Sequence, residues 1–287
     1  MIKLSKRQKY QQSNFKLPTS KHLNIFMIEL WNTALFYPLL NLLIWFYKLT
    51  GNFGWAVIML TVGLRAVMTP MVWNSMKAMK KQQELAPELA KLKIEFKDKK
   101  QELMTAQAEL YKKNGINPAS GCLPQILQIV VLIALFNAFN LVLNSPIADV
   151  ISKLYSFNQL PINTTLSTWF YGINLLKPDL IHIPGISFGL PGVMVLLSAV
   201  IQFLSSKMMM AEKTIKADPD DIMASSQEQM IYMFPLMTIV FGYQFPAGLV
   251  LYWFVFSLVS GIQQYYATGW GGLTPWIKYI WIKPKQS

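Results

Sequence analysis

The sequence predicts an all-α polytopic membrane protein, a five-span helical bundle with a cytoplasmic helical hairpin. Three observations predict it. The composition is 53% hydrophobic and only 14% charged, against roughly 25% charge in soluble domains. The apolar residues gather into blocks of about 20, the length that crosses the ~30 Å hydrocarbon core at ~1.5 Å per residue. The positive charge, +12 overall, lies between the blocks and is shared unevenly among the connections, as the positive-inside bias requires.

In a soluble chain that charge points to nucleic acid. Here basic connections facing anionic lipid headgroups account for it, with ribosomal RNA a secondary contact. The single cysteine, Cys122, makes no intrachain disulfide. His22 and His182 lack metal-ligand spacing. No Gly-rich phosphate loop, Gly-x-Ser-x-Gly or His-Glu-x-x-His occurs. The chain is therefore expected to be no enzyme and to carry no catalytic constellation, metal or cofactor.

Residues 1–22 form a basic tail with Lys3, Lys6, Arg7, Lys9, Lys16 and Lys21 and no acid. The tail lacks the apolar run and small-residue cleavage site of a secretory signal. Residues 23–49 are apolar and aromatic but contain Glu29, Asn32, Pro38 and Asn41. They read as an amphipathic helix in the membrane interface or as an extra span. Span 1 covers 50–73 and contains one charge, Arg65.

Residues 74–117 hold ten lysines and six acids and predict a water-exposed helical hairpin. Pro87 starts one arm, with Glu88 at its positive end. Leu89, Leu92 and Phe96 repeat at helical spacing, and so do Leu103, Ala106 and Leu110 after a turn at Asp98-Lys99-Lys100. Span 2 covers 118–143. Residues 144–188 are a loop with only Lys153 and Lys177 as Lys/Arg cations. Span 3 is 189–210, followed by a polar connection at 211–229 with Asp218-Pro219-Asp220-Asp221. Spans 4 (230–246) and 5 (247–267) meet at Phe245-Pro246-Ala247-Gly248, and 268–287 is a tail with Lys278, Lys283 and Lys285. Ten Lys/Arg in the hairpin against two in the 144–188 loop put the hairpin in the cytoplasm and that loop outside.

Arg65 is the sharpest signal. A cation well inside a span costs about 2.5–3.5 kcal/mol on insertion scales. Thr61 shares its face one turn earlier. No acid lies in another firm span to pair with it, so water or a ligand must solvate it. The plainer account is snorkelling towards the cytoplasmic end, ~10 Å away at Val72. Gln125, Gln128, Gln202, Ser205, Ser257, Gln263 and Gln264 also fall in spans. Each alone suits an interhelical hydrogen bond; gathered around Arg65 they line a groove. The 16 methionines, Met208-Met209-Met210 and Met230, Met233 and Met237 among them, suit either binding of varied apolar partners or ordinary packing.

Three ordered stretches resemble the YidC/Oxa/Alb insertase family. Gly51-Asn52-Phe53-Gly54, then Thr61, Arg65 and Pro70, resemble its first core span with its groove arginine. Lys112 through Asn117-Pro118 and Gly121-Cys122-Leu123-Pro124-Gln125 resemble the entry to its second. Phe245-Pro246-Ala247-Gly248-Leu249, Leu251-Tyr252-Trp253 and Gln263-Gln264 resemble its last. Departures are Ile129-Val130 after Gln128, where the family often has Gln-x-Pro, Ser257 in place of an asparagine, and a long 144–188 loop. The family's large periplasmic domain and long basic C-terminal extension are not in the sequence, which favours a bacterial member of the shorter type.

The resemblance implies a hydrophilic groove open to the cytoplasm and bilayer but closed outside, with residues 23–49 as an interfacial helix. It assigns Arg65, Thr61, Gln128, Gln202, Ser205, Trp253, Ser257 and Gln264 to the groove. Pro87, Leu89, Leu92, Phe96, Leu103 and Leu110 form a capture hairpin. The implied partners are nascent membrane proteins and the lipid bilayer, with the ribosome and the Sec translocon as further candidates and no dedicated small-molecule ligand. The implied location is the bacterial plasma membrane, multi-pass, with the C-terminus cytoplasmic. The runner-up, a small-solute transporter or channel, calls for broken helices or paired repeats around a midplane site, and the sequence has no internal repeat. A purely structural scaffold leaves Arg65 unexplained.

Overall fold

The structure, a computed structural model, describes residues 20–97, 99–117, 123–185, 187–210 and 222–281. Most of the basic tail, Asp98, Gly121-Cys122, Asp218-Pro219-Asp220-Asp221, Lys283 and Lys285 lie outside the described residues. So do the side chains of Gln125 and Met230.

The described residues are helical apart from one irregular loop and short turns. Helix α1 (Ser20–Trp31) runs through a π-helical turn (Asn32–Phe36) into α2 (Tyr37–Thr50). The wide turn precedes Pro38, whose missing N–H and bulky ring disturb the helix in the turn before it. Gly51, at φ +66°, ends α2 in the left-handed conformation that suits glycine. Asn52 starts α3 (Phe53–Glu84), its side-chain oxygen accepting from the Gly54 and Trp55 N–H groups at 2.9 and 3.3 Å. The hairpin follows as α4 (Ala86–Glu95) and α5 (Lys100–Lys113), then α6 (Leu123–Asn144). After the loop come α8 (Val193–Met208), α9 (Ile222–Gly242), α10 (Ala247–Thr268) and α11 (Thr274–Trp281). Among the described residues four stretches, Asn24–Thr50, Phe53–Glu84, Ile126–Asn144 and Ala247–Thr268, are long and apolar enough to cross a membrane; Val193–Met208 and Ile231–Gly242 are shorter apolar helices.

The loop carries α7 (Ile147–Ile151), a 3-10 turn (Ser156–Asn158) and two antiparallel strand pairs. Strand β1 (Trp169–Phe170) pairs with β2 (Ile173–Asn174), and β3 (Leu180–Ile181) with β4 (Leu190–Pro191). Its backbone answers the free N–H groups that every helix start exposes. Phe53 N donates to Ser167 O at 2.9 Å, Ala247 N to Lys177 O at 2.8 Å and Gly248 N to Leu175 O at 3.0 Å. The Asp179 carboxylate accepts from Met194 N at 2.7 Å. The N-termini of α3, α8 and α10 therefore meet at the loop end. Gly54 lets the Phe170 ring lie on the α3 backbone, where any Cβ collides with it.

Helix α10 is the centre of the bundle, packed along α3 on one side and α8 on the other, with α9 beyond α8 and α2 against α3. The main apolar core joins Leu43, Tyr47, Phe53, Val57, Leu60, Leu135, Phe139, Leu175, Leu249 and Tyr252, all buried. A second cluster packs Phe36, Leu40 and Ile44 on Ala138, Val150 and Leu154. Both lie towards the loop end.

Several expected boundaries move. Helix α3 continues past 73 to Glu84, and α8 starts at Val193 rather than 189, since Leu190 and Pro191 pair with the loop. Residues 222–229, expected as connection, are the first turns of α9. The 268–287 tail contains a helix, α11.

Candidate functional site

The buried residues change character at one level of the bundle. On α3 the apolar core ends at Leu60, and the next buried groups towards the hairpin end are Thr61 and Arg65. On α6 it ends at Val131, next to buried Gln128. On α10 it ends at Val255, followed by buried Ser257 and Gln264. On these three helices the buried residues of the loop half are mainly apolar, and the first buried residues beyond the boundary are polar.

Arg65 sits just past that boundary, with 5% of its surface exposed. Its guanidinium centre stacks 4.5 Å from the Phe256 ring centroid, within cation–π range. Nη2 donates to Gln263 Oε1. Gln263 Nε2 donates to Thr69 Oγ1 at 2.7 Å, and Thr69 Oγ1 donates to the Arg65 carbonyl at 2.6 Å. The three residues thus close a ring of hydrogen bonds between α3 and α10. The expectation that water or a ligand alone must solvate Arg65 is corrected in part by these protein partners. Its Nε is buried and has no partner among the described residues.

The remaining groove candidates fall into separate places. Thr61 is buried and donates to its own helix at Val57 O, 2.6 Å away. Gln128 donates to the Tyr252 hydroxyl at 2.8 Å, its Oε1 buried and unpartnered. The Tyr252 and Phe256 rings are 6.0 Å apart, which links Gln128 to the Arg65 side of α10. Ser205 donates to Ser257 O at 2.8 Å across the α8–α10 seam. Gln202 accepts from Thr238 of α9 at 2.6 Å. Trp253 meets Phe245 near the start of α10, ring centroids 5.7 Å apart. Gln264 bonds Thr268 within α10 at 2.8 Å. Two cavities of about 250 Å³ each, one beside Ser145, Thr165 and Leu176 and one beside Lys80, Gln83 and Thr274, do not touch Arg65.

The direct partners of Arg65 are therefore Gln263 and Phe256, with Thr69 closing the ring. Gln263 was among the polar span residues expected to gather around Arg65, though not among those the resemblance assigned to the groove; Phe256 and Thr69 were not candidates. The signals were present. Thr69 lies four residues beyond Arg65 on the same face. On α10 the assigned Trp253, Ser257 and Gln264 (i, i+4, i+11) mark one stripe; Tyr252, Phe256 and Gln263, with the same spacing, mark the stripe ~100° away. Charge and spacing alone do not choose between them.

In the hairpin, Leu89, Leu92, Phe96, Leu103 and Leu110 are half-buried and Pro87 is exposed. Ala90 is the one buried residue of α4, and α5 has none. The apolar stripe is shared between the two arms, while Ile94 and Met104 stand exposed beside it.

A family profile described as "60Kd inner membrane protein" matches residues 45–270. A protein of Fusobacterium nucleatum named "Membrane protein insertase YidC" is 32% identical over 219 residues, covering 76% of this chain and 87% of that one. Proteins of the same name from Wolinella succinogenes and Pelagibacter ubique are 31% and 33% identical over 79% of this chain, which spans 35% and 38% of their lengths. The chain thus spans most of the first relative and little more than a third of the other two.

Proposed function

This chain belongs to the 60Kd inner membrane protein family, the YidC/Oxa/Alb insertases, and on that premise we propose that it inserts other proteins into a bacterial membrane. The observation that carries the reading is the shared level on α3, α6 and α10 where the apolar core gives way to buried polar groups on the side of Arg65. A polar segment cannot cross hydrocarbon without partners for its backbone and charges. A polar half-bundle gives such a segment a place to stop partway, which leaves a thinner apolar barrier. Arg65 attracts acidic residues of the segment. The apolar helix that follows leaves sideways into lipid, and its transfer from water drives the process. No covalent bond is made or broken, so the chain acts as an insertase and not as an enzyme.

The orientation belongs to the same proposal. The hairpin carries ten Lys/Arg and the 144–188 loop two, so the hairpin and C-terminus face the cytoplasm. The hairpin, with its half-buried stripe and exposed Ile94 and Met104, offers arriving apolar segments a first contact. Its lysines suit ribosomal RNA, and the exposed apolar helix faces suit the Sec translocon.

Substituting Arg65→Ala tests the reading. In proteoliposomes the variant is expected to insert substrates with acidic translocated segments at least several-fold less well, and uncharged versions almost normally. Wild-type insertion of the acidic substrates by Arg65→Ala defeats the electrostatic account. Photocrosslinking from Phe256 or Gln263 to a stalled nascent chain checks that the substrate passes this level.

A further inference from the structure

We propose that Gln263 is a latch on Arg65, a neutral stand-in for the substrate carboxylate that sets which segments gain access to the cation. The proposal rests on the insertase reading above. Arginine only donates, so the atom of Gln263 that faces it must be the amide oxygen. The amide nitrogen then points away and finds Thr69 Oγ1 at 2.7 Å, whose hydroxyl is committed to the Arg65 carbonyl at 2.6 Å. Every donor direction in this ring is fixed, and only an amide satisfies both ends of it.

The ring leaves one defect. Nη2 and Nε form the side edge of the guanidinium, the fork that carboxylates take with two parallel bonds. Gln263 occupies Nη2 with its single oxygen, while Nε is buried and unpartnered. A carboxylate has two oxygens and a full charge. It fills both positions with charge-assisted bonds, each roughly twice as strong as a neutral one. A backbone carbonyl or neutral amide offers Arg65 no more than Gln263 already does. The latch therefore yields to aspartate or glutamate of a translocating segment and resists neutral groups. Gln263 is half-buried at the hairpin end of α10, and it retains its bond to Thr69 when Arg65 is released. It is a positioning and specificity residue, acting through Arg65.

The test uses the full chain in proteoliposomes and two single-span substrates that differ only in Asp/Glu against Asn/Gln in the translocated segment. Gln263→Glu places a permanent carboxylate on Arg65. It is expected to lower the ratio of acidic to neutral insertion roughly tenfold, the factor that ~1.4 kcal/mol of competing pairing supplies. Gln263→Leu removes the latch without adding charge, and the ratio of acidic to neutral insertion is expected not to fall. Two results overturn the proposal: an unchanged ratio in Gln263→Glu, whether both substrates fall equally or neither falls, or a lowered ratio in Gln263→Leu. If Arg65→Ala abolishes the acidic preference while Gln263→Glu does not, the latch is wrong and the insertase reading stands. If Arg65→Ala keeps the preference, the role of Arg65 falls and the latch with it.

Discussion

Arg65 and the residues that hold it show how far single positions carry the function. A buried cation was legible from sequence because nothing else in the 50–73 block is charged, and its cost demands partners. Of its actual partners only Gln263 was legible, and only as one of seven polar span residues, because choosing among the α10 stripes needs the rotation of α10 against α3, which packing sets. A similar dependence governs Gln128 and Tyr252, bonded at 2.8 Å and both buried. Tyr252→Phe takes away the hydroxyl that the Gln128 amide donates to, and a buried polar group stranded this way costs about 1–3 kcal/mol. Adding Gln128→Leu removes the stranded group. The double variant is expected to regain most of the thermal stability that Tyr252→Phe loses, measured in detergent. Additive losses in this cycle indicate that the pair is not coupled.

At the scale of elements, helices were easier to read than what joins them. The long apolar blocks and the lysine-rich hairpin with Pro87 at its start follow from periodicity and charge, and the helices α3, α4, α5, α6 and α10 appear where these signals lie. The loop was invisible beyond its length, because its order comes from distant partners. Leu175, Lys177 and Asp179 cap α10 and α8, and Ser167 meets α3. Asp179→Ala removes the carboxylate that accepts from Met194 N and is expected to destabilise the bundle by about 0.5–2 kcal/mol, the range for a lost N-terminal cap. Asp179→Asn keeps an acceptor and should lose less. The hairpin is the opposite case. Its arms bury almost nothing, so replacing residues 86–113 with a Gly/Ser linker is expected to leave the melting temperature within a few degrees. Hydrogen exchange should be fast in α4 and α5 and slow around Phe53 to Leu60. Slow exchange in the hairpin contradicts this.

For the whole molecule the packing of residues 24–50 argues for five spans. The stretch Asn24–Thr50 is long and apolar enough to cross. If it crossed beside α3, Phe36 would lie ~21 Å along the helix axis from Thr50, deep in the hydrocarbon. Yet Phe36 and Leu40 pack in one cluster with Ala138, Val150 and Leu154, and Ala138 is only ~9 Å from the loop end of α6 at Asn144. Asn41 points the same way. Its amide donates to Lys153 O at 3.2 Å, its oxygen accepts from Tyr155 N at 2.7 Å, and Asn158 donates to its carbonyl at 2.7 Å. A loop segment beside Lys153 has no reason to descend to the bilayer midplane, where a charge and free backbone groups are costly. A helix lying across the loop end meets all these contacts at the interface, where Trp45, Phe46 and Tyr47 are also at home. This placement sends the basic tail outside against the charge rule, and interfacial packing has to outweigh that bias. A cysteine at Ser5, with Cys122 replaced by serine, decides the matter. An impermeant thiol reagent is expected to label it in intact cells or, for an organism with an outer membrane, in spheroplasts; protection until lysis means that residues 24–50 span and the bundle has six.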